Sequence, residues 1–215
     1  MAVVLDNLGV FADGLALTLL IAVSASAGGS AVGLVTALGR MARAAPLRWL
    51  ATSYVEVIRN TPGLVQLFLV YLGLPRLGIR FSPLVALIVA LTVNNGAYVS
   101  EIIRAGLQAV PKGQLDAAAS LGLSRRVTLA EVVLPQTLRA IHPALANQFI
   151  QTVLASSIGT VVGVEELTQV SLILESRTYK TVEILGALTL IYIVVTFVLA
   201  AVMRRLGARL DRGYR

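Results

Sequence analysis

Cysteine is absent from the 215 residues, which excludes disulfide bridges, thiolate metal ligands and thiol nucleophiles. Histidine occurs once, as His142, so the chain alone builds no His-based metal site. No Gly-x-x-x-x-Gly-Lys-Ser/Thr phosphate loop occurs, which excludes ATP hydrolysis by that route. Paired carboxylates, a Ser-His-Asp order in a suitable context and metal-ligand spacings are missing as well. The chain therefore reads as a non-enzyme with no cofactor or metal of its own. Charge is also scarce. Only 13% of residues are charged, about half the share of a soluble domain, against 57% apolar and a mean hydropathy of +0.83. What remains is an integral membrane protein. Its formal charge of +7 then points to basic cytoplasmic loops, not to nucleic acid.

Long apolar segments separated by short polar ones predict an all-α protein with five spans, at about 14–38, 50–74, 83–105, 140–163 and 182–203. Residues 1–13 hold Asp6 and Asp13 without Lys or Arg, so they do not read as a cleaved signal peptide. The first span carries Gly29 and Gly33, a small-xxx-small spacing that permits close helix packing. The second contains Pro62 and Gly63, which must kink or locally unwind it. Asn94 and Asn95 fall near the middle of the third. The fourth is the least apolar, with His142, Asn147, Gln148, Gln151, Thr152, Ser156 and Ser157. Such a face is expected to point into protein or a water-filled path. Residues 164–181 read as a polar connection.

Five spans put the two ends on opposite sides. Arg40, Arg43, Arg48, the polar insert near 107–139 and the Arg-rich segment 205–215 share one side. The other side holds only Arg76, Arg80, Arg177 and Lys180. By the positive-inside rule the N-terminus is outside and the C-terminus cytoplasmic.

The insert is patterned. Gln114 to Leu121 predicts a short helix, Gly122 can end it in the left-handed conformation, and Ser124 can cap a second helix that ends near Pro135. Asp116, Ala117, Ala118, then Gly122, Val132, Leu134 and Pro135 follow the spacing of the EAA loop. In this the chain resembles the membrane permease subunits of bacterial ABC importers, with Asp116 where Glu is usual and Val132 where Ile is usual. Tyr54, Glu56, Arg59, Thr61 and Pro62 resemble the Tyr-x-Glu-x-x-Arg-x-Thr-Pro segment of the polar amino-acid branch (His, Glu, Gln or Arg permeases). Leu154-Ala155-Ser156-Ser157 departs from the Lys with Asp-Thr-Ser or Asn-Ser-Ser common there, so no role is carried over for those Lys and Asp/Asn positions.

The resemblance covers about residues 13–204. It implies a single type I permease domain there, with a coupling loop at 107–139 and a basic tail at 205–215. It further implies a multi-pass protein of the bacterial inner membrane that takes up polar amino acids. Implied partners are a dimer of ATP-binding subunits, which bind the ATP, a second permease subunit, identical or different, and an extracytoplasmic amino-acid-binding protein. Asp116, Ala117, Ala118, Gly122, Leu134 and Pro135 are the implied coupling residues.

From the residues themselves, Asn94, Asn95, Gln148, Thr152 and Ser156 are candidates to line a substrate path; inter-helix hydrogen bonding is the plain alternative for each. Glu56 with Arg59 and Glu101 with Arg104, each three apart on one helical face, are candidates for a cytoplasmic gate; local pairing is the alternative. The charged residues of the spans sit near their cytoplasmic ends. That disfavours an ATP-independent secondary transporter, which wants an acid or base at mid-membrane for ion coupling, and a channel is the other ATP-independent reading. A non-transporting scaffold would not need the polar fourth span.

Overall fold

The computed structural model describes residues 2–212, with side chains for 3–208. Among these, every regular element is helical. In chain order they are α1 (Ala2–Asp6), α2 (Leu8–Arg40), α3 (Ala45–Arg59), α4 (Gly63–Phe68), α5 (Pro83–Gln108), α6 (Lys112–Ser120), α7 (Arg125–Val127), α8 (Leu134–Ala155), α9 (Leu167–Thr178) and α10 (Thr181–Arg212). A wider π turn over Leu69–Gly73 and a 3₁₀ turn over Leu74–Leu77 prolong α4.

Glycine decides how the two longest inner helices meet. A Cβ at Gly29 would lie 2.8 Å from Asn95 Cβ, and one at Gly33 would lie 2.7 Å from Val99 Cβ. From the other side, a Cβ at Gly96 would lie 2.7 Å from Val32 Cγ1. Lipid tails are as apolar as Leu, so close backbone approach is what brings helices together in a bilayer. The Gly29–Gly33 spacing read from sequence is therefore the packing face of α2.

These contacts also fix topology. Residue numbers rise together along α2 and α5, from Gly28 against Thr92 to Gly33 against Val99, so the two helices are parallel. The chain between them must return across the membrane. It does so through α3 and α4, which bend by 109° at their junction. The second span is thus two pieces, not one helix over 50–74. Pro62 ends α3 because its preceding residue disfavours helical geometry, and Gly63 opens α4.

α5 and α8 are antiparallel, with Gly106 against Ile141 and Gly159 against Leu87. α8 and α10 meet at His142 and Gly207, which makes α10 run back to the cytoplasmic end. Four helices are long and apolar enough to cross a membrane, and the bent α3–α4 pair taken as one span makes a fifth; with five, the basic residues put the N-terminus outside and the C-terminus in the cytoplasm. Both buried apolar clusters lie in the outer half. One joins Ile21, Ala25, Leu67, Leu87 and Val164; the other joins Phe11, Leu167, Ile184 and Leu188.

Two sequence expectations are corrected. Residues 164–181 are not a plain polar connection: α9 occupies most of them and packs on α2 and α10. The second arm of the insert does not end near Pro135. From Ser124 it runs unbroken into α8, as one helix over Arg125–Val162. Proline removes its own N–H bond and crowds the carbonyl four residues back. A π turn over Thr128–Val133 widens the helix at that place and lets it continue. The fourth span accordingly starts before residue 140. Residues 213–215 of the basic tail, and the side chains of Arg209 and Arg212, lie outside the described residues; up to Arg212 the tail continues α10.

Candidate functional site

The break between α3 and α4 is held by one side chain. Gln66, buried, donates from Nε2 to Ile58 O at 2.8 Å, Thr61 O at 3.1 Å and Thr61 Oγ1 at 2.9 Å. The two carbonyls lie at the end of α3, where the helical ladder runs out; Ile58 O also accepts from Thr61 N at 3.4 Å and Thr61 Oγ1 at 3.3 Å. Gln66 Oε1 accepts from Asn94 Nδ2 at 3.0 Å. The broken span is thereby tied to the polar centre of α5.

Asn94 and Asn95 open onto a cavity of about 270 Å³ between α5 and α8, whose wall includes Tyr98, Gln148, Gln151 and Thr152. Four of the five path candidates are thus brought together. Ser156 is not among the lining residues. It is buried and donates to Val153 O at 2.8 Å, within its own helix. Thr152 Oγ1 likewise donates to Gln148 O at 2.9 Å. Asn95 Oδ1 is buried at the cavity and has no hydrogen-bond partner among the described residues. Amides on two helices, with a tyrosine hydroxyl and further amides around them, offer both donors and acceptors without fixed charge.

Nearer the cytoplasm, Glu101 gathers three guanidinium groups. Arg40 Nη1 lies 2.6 Å from Glu101 Oε1, Arg59 Nη1 lies 3.5 Å from the same oxygen, and Arg104 Nη2 lies 2.7 Å from Oε2. Arg104 Nε adds a second bond to Oε2 at 3.0 Å. Arg59 also stands 5.5 Å over the Tyr98 ring. The cluster joins α2, α3 and α5 at one carboxylate. It corrects the sequence pairing: Arg59 turns to Glu101, and Glu56 forms no ion pair among the described residues. Arg40, the last residue of α2, is only 12% exposed in its side chain.

The insert forms a compact hook. α6 ends at Ser120 with Leu121 as its C-cap, and Gly122 takes φ +67°, the left-handed conformation. The N–H groups of Leu121, Gly122 and Leu123 bond back to Ala117, Ala119 and Ala118 carbonyls. Ser124 Oγ accepts from Val127 N at 3.4 Å and starts the return arm. Ala118 is buried; Asp116, Ala117, Gly122 and Leu134 are exposed and Pro135 is half-buried. Leu121, 78% exposed, stands at the tip.

With this geometry in place, comparison with known proteins is decisive. Residues 29–215 match the family described as "Binding-protein-dependent transport system inner membrane component". The chain belongs to this family. It is 38% identical to the probable glutamine ABC transporter permease GlnM of Bacillus subtilis, over 99% of both chains. It is 36% identical to the glutamine transport system permease GlnP of Escherichia coli, over 92% of this chain and 91% of that one. Among solved structures, one of an amino acid ABC transporter with histidines superposes with a TM-score of 0.90 at 39% identity, covering 95% and 96% of the two chains. The MetNI methionine ABC transporter shares the fold, at a TM-score of 0.79 and 19% identity.

The permease is therefore a multi-pass protein of the inner membrane, and its family is the membrane component, not the ATPase. Its structure adds a residue that sequence reasoning passed over. Glu166 is fully buried. Its carboxylate caps α9, accepting from Thr168 N at 2.9 Å and Gln169 N at 3.0 Å. Thr160 and Tyr192 hydroxyls donate to it at 2.8 and 3.3 Å. The signal available in sequence was an acid directly before an apolar run, which is an N-cap position; that capping pattern is one thing, full burial another.

Proposed function

We infer that this chain is the permease subunit of an ATP-binding-cassette importer for polar amino acids. Residues 13–204 act as one transmembrane unit, 107–139 as its coupling segment and 205–215 as a basic cytoplasmic tail. Two such subunits, identical or different, enclose the path, because five spans are too few to surround one alone. A cytoplasmic ATPase dimer supplies the energy, and an extracytoplasmic binding protein delivers substrate.

The observation that carries this reading is the hook. α6 stands on the cytoplasmic side, its loop is locked by Gly122, and its return arm is continuous with α8. A force on α6 is therefore transmitted to the helix that lines the cavity. ATP-driven closure of the partner subunits moves α6, and with it Gln148 and Thr152. Asp116, Ala117, Ala118, Gly122, Leu134 and Pro135 are the coupling residues.

Asn94, Asn95, Gln148 and Thr152 are the path residues. Amide oxygens suit the ammonium of an amino acid, and amide N–H groups suit its carboxylate. Ser156 enters this set only indirectly, by shaping the end of α8. The Arg40–Arg59–Arg104–Glu101 cluster is the cytoplasmic gate, and Glu56, one turn before Arg59 on α3, belongs to the same end of the span. The relatives named for glutamine, and the neighbour named for an amino acid transporter, support the substrate class.

Deleting Gln114–Gly122 is expected to abolish co-purification with the ATPase subunit while membrane insertion persists. Retention of the ATPase by the deletion would refute the coupling role.

A further inference from the structure

The cavity between α5 and α8 presents hydrogen-bonding groups whose direction the surrounding chain fixes. The fixing begins at Gln66. Its side-chain nitrogen faces three oxygens, Ile58 O, Thr61 O and Thr61 Oγ1, at 2.8, 3.1 and 2.9 Å. An oxygen could not stand there, because the two carbonyls have no proton to give it. Gln66 Oε1 therefore points to Asn94, and Asn94 must answer with Nδ2, at 3.0 Å. The Asn94 amide is thus set, with Oδ1 on the side turned away from Gln66. Asn95, only 3% exposed, adds an Oδ1 that is buried and unpartnered among the described residues. Thr152 Oγ1 gives its proton to Gln148 O at 2.9 Å, so its remaining capacity is to accept. One part of the wall is therefore a set of three acceptor oxygens. The side-chain amides of Gln148 and Gln151, also in the wall, supply N–H donors. All of these groups are uncharged. Toward the cytoplasm, three guanidinium groups against the one Glu101 carboxylate leave an excess of positive charge, and Arg59 stands 5.5 Å over the ring of Tyr98, a lining residue.

We infer that this cavity, on the importer reading given above, selects an amino acid with no net charge and a carboxamide side chain. Glutamine and asparagine fit; arginine, lysine, glutamate and aspartate do not. The three oxygens take N–H groups of the substrate, and the Gln148 and Gln151 amides take its carboxylate. A zwitterion of zero net charge needs no further counterion. Arginine and lysine bring an extra cation into a wall of neutral groups, beside an excess of positive charge. Glutamate and aspartate bring a second carboxylate to a wall whose fixed groups are acceptors. In both cases a charge leaves water without an opposite partner, which is costly. An apolar side chain of similar size is rejected for another reason: it leaves the fixed oxygens without a donor.

The test uses the assembled transporter, permease with its ATPase, in lipid nanodiscs and without the binding protein, so that the selectivity of that protein does not enter. Equilibrium dialysis measures binding of radiolabelled glutamine, glutamate and arginine. Glutamine is expected to bind at least about tenfold more tightly than either, the scale of one buried group left without its partner. Asn95→Asp replaces an amide with a carboxylate of the same shape. It is expected to shift the arginine-to-glutamine binding ratio about tenfold toward arginine. Gln148→Glu, at a half-buried position on the facing helix, is expected to move the ratio in the same direction and serves if Asn95→Asp does not fold. Glutamate or arginine binding the native transporter as tightly as glutamine, a ratio unchanged in the folded variants, or no saturable binding of any of the three would each overturn the inference. The importer reading is scored separately. Amino-acid uptake into vesicles that requires ATP and the binding protein would leave that reading standing beside any of these results and remove only the selectivity assigned to the cavity.

Discussion

Gln66 and Asn94 face each other across the boundary between the broken second span and the third, joined by a hydrogen bond of 3.0 Å from Asn94 Nδ2 to Gln66 Oε1. One amide thus satisfies the loose end of α3 and, through its oxygen, positions a side chain of the central cavity. Gln66→Leu removes four hydrogen bonds from a buried site and leaves Thr61 O and the Asn94 amide without the Gln66 partner. Single side-chain bonds in membrane proteins average about 0.6 kcal/mol. The whole substitution is expected to cost roughly 2 kcal/mol, because unpaired buried groups add to the lost bonds. Thermal unfolding in detergent reads the stability, and uptake should fall even in the folded fraction.

The parallel contact of α2 with α5 depends on missing side chains. Gly33→Ala brings a Cβ to 2.7 Å from both Val99 Cβ and Cγ1, at the crossing of two stiff helices. Overpacking of this kind costs about 1–3 kcal/mol. Gly186→Ala in α10, where a Cβ meets nothing within 4 Å, is the matched control. It should leave the melting temperature unchanged or raise it.

Gly122 turns the hook at φ +67°. Gly122→Val should strain that turn by about 1–2 kcal/mol, and Gly122→Asn much less, since Asn tolerates the left-handed region. ATPase activity stimulated by the binding protein should drop in the Val variant and survive in the Asn variant. Equal activities in the two would show that the turn geometry does not matter to coupling.

Glu101 holds Arg40, Arg59 and Arg104 together. Arg104→Glu places a second acid beside it and should scatter the cluster. If the cluster keeps the cytoplasmic side closed, basal ATPase without substrate rises and uptake per ATP falls. Unchanged transport and unchanged basal ATPase would reduce the cluster to local pairing, worth a few tenths of a kcal/mol per pair.

Glu166 is a cap that forms no ion pair among the described residues. Glu166→Ala leaves the Thr168 and Gln169 N–H groups unanswered and should cost about 1–2 kcal/mol, the range for a lost N-cap. The effect should be local. Tryptic cleavage at Arg177, exposed in α9, is expected to accelerate more than global unfolding does. Glu166→Gln keeps one acceptor oxygen and should lie between the two.

Composition and order alone determined that the chain crosses a membrane, how often, and which way round. Those properties depend on apolar length and on where arginine falls, and both are local. The same holds for α6 and its glycine turn, which need only near neighbours. Which side chains meet across helices was decided by the tertiary structure. Arg59 lies three residues from Glu56 yet pairs with Glu101. Ser156 lies four residues after Thr152 yet does not line the cavity, and Glu166 looks like a loop acid yet is wholly buried. Pairing of this kind follows from how each helix is rotated and how closely glycines let its neighbours approach. A linear pattern does not encode that rotation, because a period of 3.6 names a face without saying which partner it meets. The passage of α8 through Pro135 belongs to the same class: proline predicts an interruption, and only the π turn before it, supported by the helix packing, let the coupling arm and the span become one piece.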